Sequence, residues 1–324
     1  MRAAIYETYG APDVVHLGEM PKPVPQDNDV LVRVRATTVS SGDWRARSLE
    51  MPPGFGVLGR LVFGIKRPRQ PILGTELAGV VEAVGSKVTA FRPGDAVFGF
   101  AGGAMGCHAE YRCLPADGRI ALKPVELSFE EAAALSFGGM TAIDVFRRGN
   151  LKAGERVLVN GASGAVGSAA VQIAKHFGAH VTGVCSGENV DWVRALGADV
   201  VIDYRAQDFA TARNAYDIIV DCAGTAPFGR VRNTLKEHGR LLVVLGGFGA
   251  LFTGPFETMG NTRKIVSGPA AESVDDFKVL AEIAEQGAFK PMIDEVFPFE
   301  QIVKAHRRVD SGRKRGSVVV TVAA

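Results

Sequence analysis

Residues 156–178, RVLVNGASGAVGSAAVQIAKHFG, constrain the fold more than any other stretch. A β-branched run ends at Asn160, a glycine-rich turn follows, and a helical pattern runs on to Gly178. Gly164 and Gly167 fit the second and third glycines of a G-x-G-x-x-G fingerprint, with Ala162, preceded by Gly161, in the first position. One glycine lets backbone approach a pyrophosphate and the other lets helix pack on strand. The helix N-terminus then offers free N–H groups and a partial positive charge to phosphate. A tight turn that binds nothing shares this pattern, so the units that follow decide.

They repeat it. HVTGVC (180–185), DVVID (199–203), DIIVDCAG (217–224), RLLVVLGG (240–247) and RKIVSG (263–268) are short apolar runs, several separated by helical patterns that stop at glycine. Such runs predict a parallel sheet buried on both faces, in a doubly wound α/β domain. That context favours a dinucleotide at the glycine turn.

The fingerprint expects an acid at the end of the second strand to bind the ribose 2′-OH of NAD. Ser186 stands there. A small hydroxyl leaves room for a 2′-phosphate, and Tyr204 and Arg205 after the third strand could add donors, which favours NADP(H). Glu188, two residues on, speaks for NAD unless it belongs to the next helix start.

The 324 residues carry a formal net charge of +2, which gives no electrostatic reason to expect nucleic acid. Cys107, Cys113, Cys185 and Cys222 are too few and scattered for a disulfide framework. With no signal-peptide pattern at MRAAIYETYG and no membrane span, a cytoplasmic protein is expected. Before residue 128 the strand-like segments AAIYE, DVLVRVRAT, ELAGVVEAVG and GDAVFGF predict a β-rich domain. SVDDFKVLAEIAEQGA reads as a helix, and GSVVVTVA (316–323) as a final strand returning to that domain.

Three ordered stretches carry a resemblance: PILGTELAGVVEAVGSKVTAFRPGDAVFG (71–99), LSFGGMTAIDVF (135–146) and the glycine-turn segment itself. The chain resembles the medium-chain dehydrogenase/reductase superfamily in its zinc-independent quinone oxidoreductase branch. The resemblance implies a GroES-like, partly closed β-barrel catalytic domain from residues 1–121 and 269–324, and a Rossmann NADP-binding domain from 122–268. It also implies a homodimer paired through the edge near Lys264–Ser267. For the cofactor it implies Thr141 near the nicotinamide and Ser163, Gly164, Ala165 and Val166 at the pyrophosphate. Ser186 and Tyr204 would face the 2′-phosphate, and Cys222, Leu245 and Gly246 the ribose and nicotinamide.

Zinc members of that superfamily carry His where this chain has Thr75, and Cys near Ser40. Neither Thr nor Ser is a usual zinc ligand, and Cys107, His108 and Cys113 lack the number and spacing of a standard site. No metal is expected. Without a Lewis acid the hydride acceptor must be activated by conjugation, as in a quinone or an α,β-unsaturated carbonyl. In VSSGDWRAR (39–47) Ser40 replaces the family's frequent Asn, Asp43 is kept, and Arg45 stands where some members have Tyr. Ser40 and Asp43 are therefore the catalytic candidates, although Asp43 could equally pair with a neighbouring arginine, and solvent or a ribose hydroxyl relay could deliver the proton. Trp44, Phe55, Phe63, Phe248 and Phe252 are candidates for pocket or core. Residues 51–70 suit a lid, a short interfacial helix or a packed loop; SGRKRG (311–316) suits a solvated hairpin or an approach to the cofactor phosphate. Two alternatives stay open: an alcohol or carbonyl oxidoreductase, and an NADPH-binding protein with little turnover.

Overall fold

The computed structural model describes residues 1–51, 56–244, 260 and 262–322. Two sheets carry the architecture. The first joins β8 (Arg156–Asn160), β9 (His180–Cys185), β10 (Val200–Asp203), β11 (Tyr216–Asp221), β12 (Leu235–Val243) and β13 (Lys264–Val266). All its pairings are parallel, in the order β10-β9-β8-β11-β12-β13. Counted from β8, that is the doubly wound 3-2-1-4-5-6 order. The β-branched runs occupy its centre because parallel strands are covered on both faces; Val157, Leu158, Val159, Val181, Val184, Ile218, Ile219 and Val220 are all buried.

The second sheet runs β14 (Ile293–Pro298), β15 (Ser317–Thr321), β3 (Asp29–Val39), β4 (Glu76–Val84), β5 (Ala96–Phe100) and β7 (Ile120–Leu122), with β6 (Tyr111–Pro115) also pairing β3. β1 (Arg2–Ile5) and β2 (His16–Glu19) form a separate antiparallel pair. The final strand returns as expected: Val318 to Thr321 lie antiparallel to Val39 to Ala36. This is the GroES-like unit beside a Rossmann-like sheet.

Helices α3 (Phe129–Ala133) and α4 (Ser136–Gly149) connect the two sheets. Ser128 caps α3 in a reciprocal capping box with Glu131. One apolar core spans the junction: Ala78, Phe98 and Val319 of the barrel cluster with Leu135, Met140 and Phe146 and with the inner Rossmann strands. Phe277, on the helix α8 (Val274–Glu285), lies against Phe98 with ring centroids 5.1 Å apart. Several elements have little sequence signal. β2 is short and mostly exposed, and α1 (Ser41–Ser48) lacks an apolar stripe. By contrast α9 (Ile302–Asp310) is amphipathic, burying Ile302, Ala305, His306 and Val309, a pattern the sequence reading did not single out. Helices α2 (Gly56–Phe63), α5 (Ala165–His176), α6 (Val190–Ala195) and α7 (Phe228–Val231) complete the set described.

Candidate active site

The strand order reverses between β8 and β11, and ligands of open α/β sheets bind outside the carboxyl ends of the strands at such a point. Asn160 and Asp221 end these strands as register partners. Asn160 Nδ2 donates to Asp221 Oδ1 and to Thr225 Oγ1, each at 2.8 Å. The buried Asp221 carboxylate also accepts from the backbone N–H groups of Ala223 (3.2 Å), Gly224 (2.9 Å), Thr225 (3.3 Å) and Ala226 (2.9 Å). One side chain thus folds the loop after β11 and ties it to β8. Sequence reasoning passed over it, because an Asp at a strand end looks like any turn residue; the four small or turn-forming residues after it, CAGT, were the available signal.

The glycine turn lies at the same edge. Gly161, not position 162, takes the left-handed conformation, with φ +82°. Ala162 is fully buried beside it, and the N–H groups of both donate to Val184 O. Gly164 begins α5 without any side-chain cap, leaving the first-turn N–H groups of the helix open to a ligand. A Cβ on Gly164 would meet only Gly161 O, at 3.6 Å, whereas one on Gly167 would sit 2.0 Å from that oxygen. Gly161 therefore makes the turn, Gly164 keeps an open face, and Gly167 allows α5 to close on the loop. Gly316 N–H donates to Ser163 O at 2.9 Å, which docks the turn against the chain's C-terminal segment.

From this turn a cavity of about 1310 Å³ runs along the ends of β9 and β10. Ser163, Ser186 and Tyr204 all line it, as do Arg205, Arg313 and Arg315. Ser186 Oγ accepts from Asn189 Nδ2 at 2.8 Å and faces Glu188 Oε1 at 3.3 Å. Arg315 reaches Glu188 at 3.4 Å, and the Arg205 guanidinium lies 5.8 Å from the Tyr204 ring. Lys314 lines the same end; its Nζ donates to Gly316 O, and burial lowers its pKa to about 8. The basic turn 311–316 therefore faces the cavity, while Arg308 on the same wall is held by Asp294.

Other candidates lie beyond this lining. Thr141 is on α4, its Oγ1 donating to Phe137 O at 2.7 Å. Gly164, Ala165 and Val166 form the helix start itself. Cys222 follows Asp221; its N–H donates to Asn160 O, and burial raises the pKa of its thiol. Leu245 and Gly246, like Phe55, Phe248 and Phe252, fall outside the described residues.

On the barrel side Ser40 and Asp43 are brought together, but by each other. Ser40 caps α1, accepting from Gly42 N–H (3.2 Å) and Asp43 N–H (3.3 Å). Asp43 Oδ2 accepts from the Ser40 N–H and hydroxyl, both at 2.7 Å, and Oδ1 accepts from Gly74 N–H at 2.7 Å. The neighbouring arginine does not take part: Arg47 pairs with Asp310 instead, with a 2.6 Å contact. This geometry suits two positioning residues that fix α1 against the turn before β4. Ser40→Ala is expected to cost about 1 kcal/mol through the lost cap, read as a small shift in urea midpoint.

Beside them lies a buried carboxyl that the sequence reading did not single out. Glu76 accepts from the Thr38 hydroxyl and from Phe137 N–H (2.6 Å), linking β3, β4 and the start of α4. Burial pushes it up from 4.5 to about 7, with Thr38 and Phe137 holding it back. A carboxyl raised on folding binds its proton more tightly in the native state, so the contribution is favourable below pH 4.5 and is lost as pH climbs to about 7. The difference in unfolding free energy between wild type and Glu76→Gln should therefore shift against wild type by about 3 kcal/mol across that window. A flat difference would show that Glu76 titrates normally.

The donor set does not fit zinc. Among the described residues no three His, Cys, Asp or Glu side chains gather as metal ligands. Thr75 and Ser40 offer only hydroxyls, Cys107 is buried with its thiol pushed up to about 12, and His108 Nε2 is 2.9 Å from Thr38 O.

Comparison with known proteins agrees with this two-part fold. The alcohol dehydrogenase GroES-like domain family matches residues 26–124, and the family described as zinc-binding dehydrogenase matches 196–320. The chain is 30% identical to the chloroplast envelope quinone oxidoreductase homolog of Arabidopsis thaliana, over 99% of this chain and 98% of that one. It is also 30% identical to the 2-methylene-furan-3-one reductase of Solanum lycopersicum, over 99% and 79%. The quinone oxidoreductase structure from Coxiella burnetii superposes with a TM-score of 0.85 at 27% identity, covering 100% of this chain and 99% of that one. Glycine turn, switch point and barrel thus belong together: the chain is a member of the medium-chain dehydrogenase/reductase superfamily, in its quinone oxidoreductase branch, a family of oxidoreductases that use nicotinamide cofactors.

Proposed function

We propose that this protein is an NADPH-dependent, zinc-independent oxidoreductase that reduces a quinone or an α,β-unsaturated carbonyl. The observation that carries the cofactor is the cavity lining, which Ser186 and Tyr204 share with Arg205, Arg313 and Arg315, the last paired with Glu188 at 3.4 Å. Three guanidiniums lining one cavity with a small hydroxyl suit a dianionic 2′-phosphate better than a bare ribose. Support for an activated acceptor is chemical: the donor set does not suit zinc, and the tomato relative's name describes an α,β-unsaturated ketone.

In this reading the α5 N-terminus and Ser163 hold the pyrophosphate, Thr141 and Cys222 lie toward the nicotinamide, and Ser40 and Asp43 keep α1 in place. The bound dinucleotide supplies hydride. The protein's own part is to hold donor and acceptor together and keep water from between them. We place the domain boundaries at 1–121 with 269–324, and at 122–268, and infer a homodimer through the outer edge of β13. No helix among the described residues is long and apolar enough to span a membrane. All four cysteines are free, and we assign the protein to the cytoplasm.

The test is steady-state oxidation of NADPH and NADH by 1,4-benzoquinone and by a simple enone, with and without chelator. Arg313→Ala and Arg315→Ala should each raise KM for NADPH about tenfold and leave NADH unchanged. Equal effects on both cofactors would remove the 2′-phosphate from this end. Glu188, beside Ser186, favours a second reading in which NADH is the donor; an NADH preference abolished by Glu188→Gln would establish it. Chelator-sensitive aldehyde reduction would assign an alcohol or carbonyl oxidoreductase, and tight NADPH binding without turnover a binding protein.

A further inference from the structure

Helix α2 turns an apolar stripe outward. Leu58, Leu61, Val62 and Ile65 are 45%, 52%, 56% and 59% exposed. Their spacing is i, i+3, i+4, i+7, so three line one side of the helix and Ile65 follows in the turn beyond it. The inner side is fixed. Gly59 is buried against Met51, and Phe63 packs on the barrel core. Tyr9 Oη donates to Gly64 O at 2.8 Å, and Arg69 N–H to Phe63 O at 2.8 Å. Surface helices ordinarily place charge where this one places aliphatics.

The charge lies alongside. Residues 51–70 contain Arg60, Lys66, Arg67 and Arg69 and no acid at all. All four are exposed, and none makes an ion pair among the described residues. Arg60 Nη1 donates only to a backbone oxygen, Ile65 O, at 3.0 Å. Four uncompensated cations beside four exposed aliphatics match one kind of surface in both properties: an anionic lipid bilayer, with apolar matter just below a layer of negative headgroups.

We propose that residues 58–69 dock the protein on anionic membranes, the aliphatic stripe entering the headgroup–acyl boundary and the cations lying against the headgroups. The proposal stands independently of the cofactor and substrate reading. It is tested by co-sedimenting the full chain, at low ionic strength, with vesicles of phosphatidylglycerol and phosphatidylcholine and with vesicles of phosphatidylcholine alone. Binding should require the anionic lipid and fall as salt is raised. Each cation near such a surface multiplies affinity about fivefold, so Lys66→Ala/Arg67→Ala/Arg69→Ala together should lower it about 100-fold. Leu61→Glu/Val62→Glu should lower it at least tenfold without moving Tm, since both side chains are exposed. Equal binding to both vesicle types, or variants that bind like wild type, would overturn the proposal. So would a concentration-dependent oligomer that Leu61→Glu/Val62→Glu dissolves, because a second copy would then own the stripe.

Discussion

Asp221→Ala should destabilise the protein by about 4 kcal/mol and lower Tm by roughly 10 °C. The size follows from how much one buried carboxylate holds. Its oxygens accept from four consecutive backbone N–H groups, Ala223 to Ala226, and from the Asn160 amide. Ala223, Gly224 and Thr225 are exposed, so alanine leaves their N–H groups to water, but it strands the buried Ala226 N–H and the Asn160 amide, and an unpaired buried donor costs about 1–3 kcal/mol. The tie between the loop and the end of β8 also weakens, since Asn160 Nδ2 keeps only its bond to Thr225 Oγ1. Cofactor affinity should fall at least tenfold in step. Asp221→Asn keeps an acceptor oxygen and should lose about half as much. Thermal melts with cofactor titration check both. A variant with native Tm would mean that the loop holds itself.

The route from sequence to this site was uneven, for physical reasons. Parallel strands buried on both faces and helices stopped by glycine leave strong local patterns, so the β/α units and the glycine turn were legible from Arg156 onward. The detail of the turn was not: a Gly-Ala pair does not say which residue takes positive φ, and Gly161 takes it. Ser40 and Asp43 illustrate a different loss. Their i, i+3 spacing is a capping-box pattern, and the structure gives both halves of one, yet the same residues also invite a catalytic reading because of where they stand in the chain. Contacts between distant segments leave no local trace. SGRKRG left both a solvated hairpin and an approach to the cofactor phosphate open, and only the fold brings it to the cavity that Ser186 lines; nor does anything in Arg47 show that its partner is Asp310, 263 residues away. Glu76 was hidden for a related reason: only the arrival of Thr38 and Phe137 beside it turns an acid in a strand into a buried carboxyl.

Gly167→Ala should be severely destabilising, and Gly164→Ala, three residues earlier, should be nearly neutral for folding. A Cβ at 167 would sit 2.0 Å from Gly161 O, 2.8 Å from its carbon and 2.9 Å from Ala162 Cα. All three are backbone atoms, so no side chain can rotate away. Either α5 lifts from the turn or the turn shifts, and the turn is held by two N–H bonds to Val184 O and by Ser163 O to Gly316. Overpacking against flexible neighbours costs about 1–3 kcal/mol, and a rigid contact of this kind should exceed that range. The variant is expected to express poorly, or to melt well below wild type with cofactor binding lost. At 164 the backbone has φ −84° and ψ 173°, which any residue adopts, and the nearest atom to a new Cβ is 3.6 Å away. Its Tm should therefore stay close to that of wild type. Its methyl group would stand over the open N–H groups of α5, so dinucleotide affinity should drop about tenfold or more even though the fold is intact. Measuring Tm and cofactor affinity for the pair separates the two roles: a loss of both at 167 and of affinity alone at 164 assigns packing to one glycine and phosphate approach to the other, whereas a Gly164→Ala protein that binds dinucleotide normally would mean that the phosphates do not lie over the start of α5.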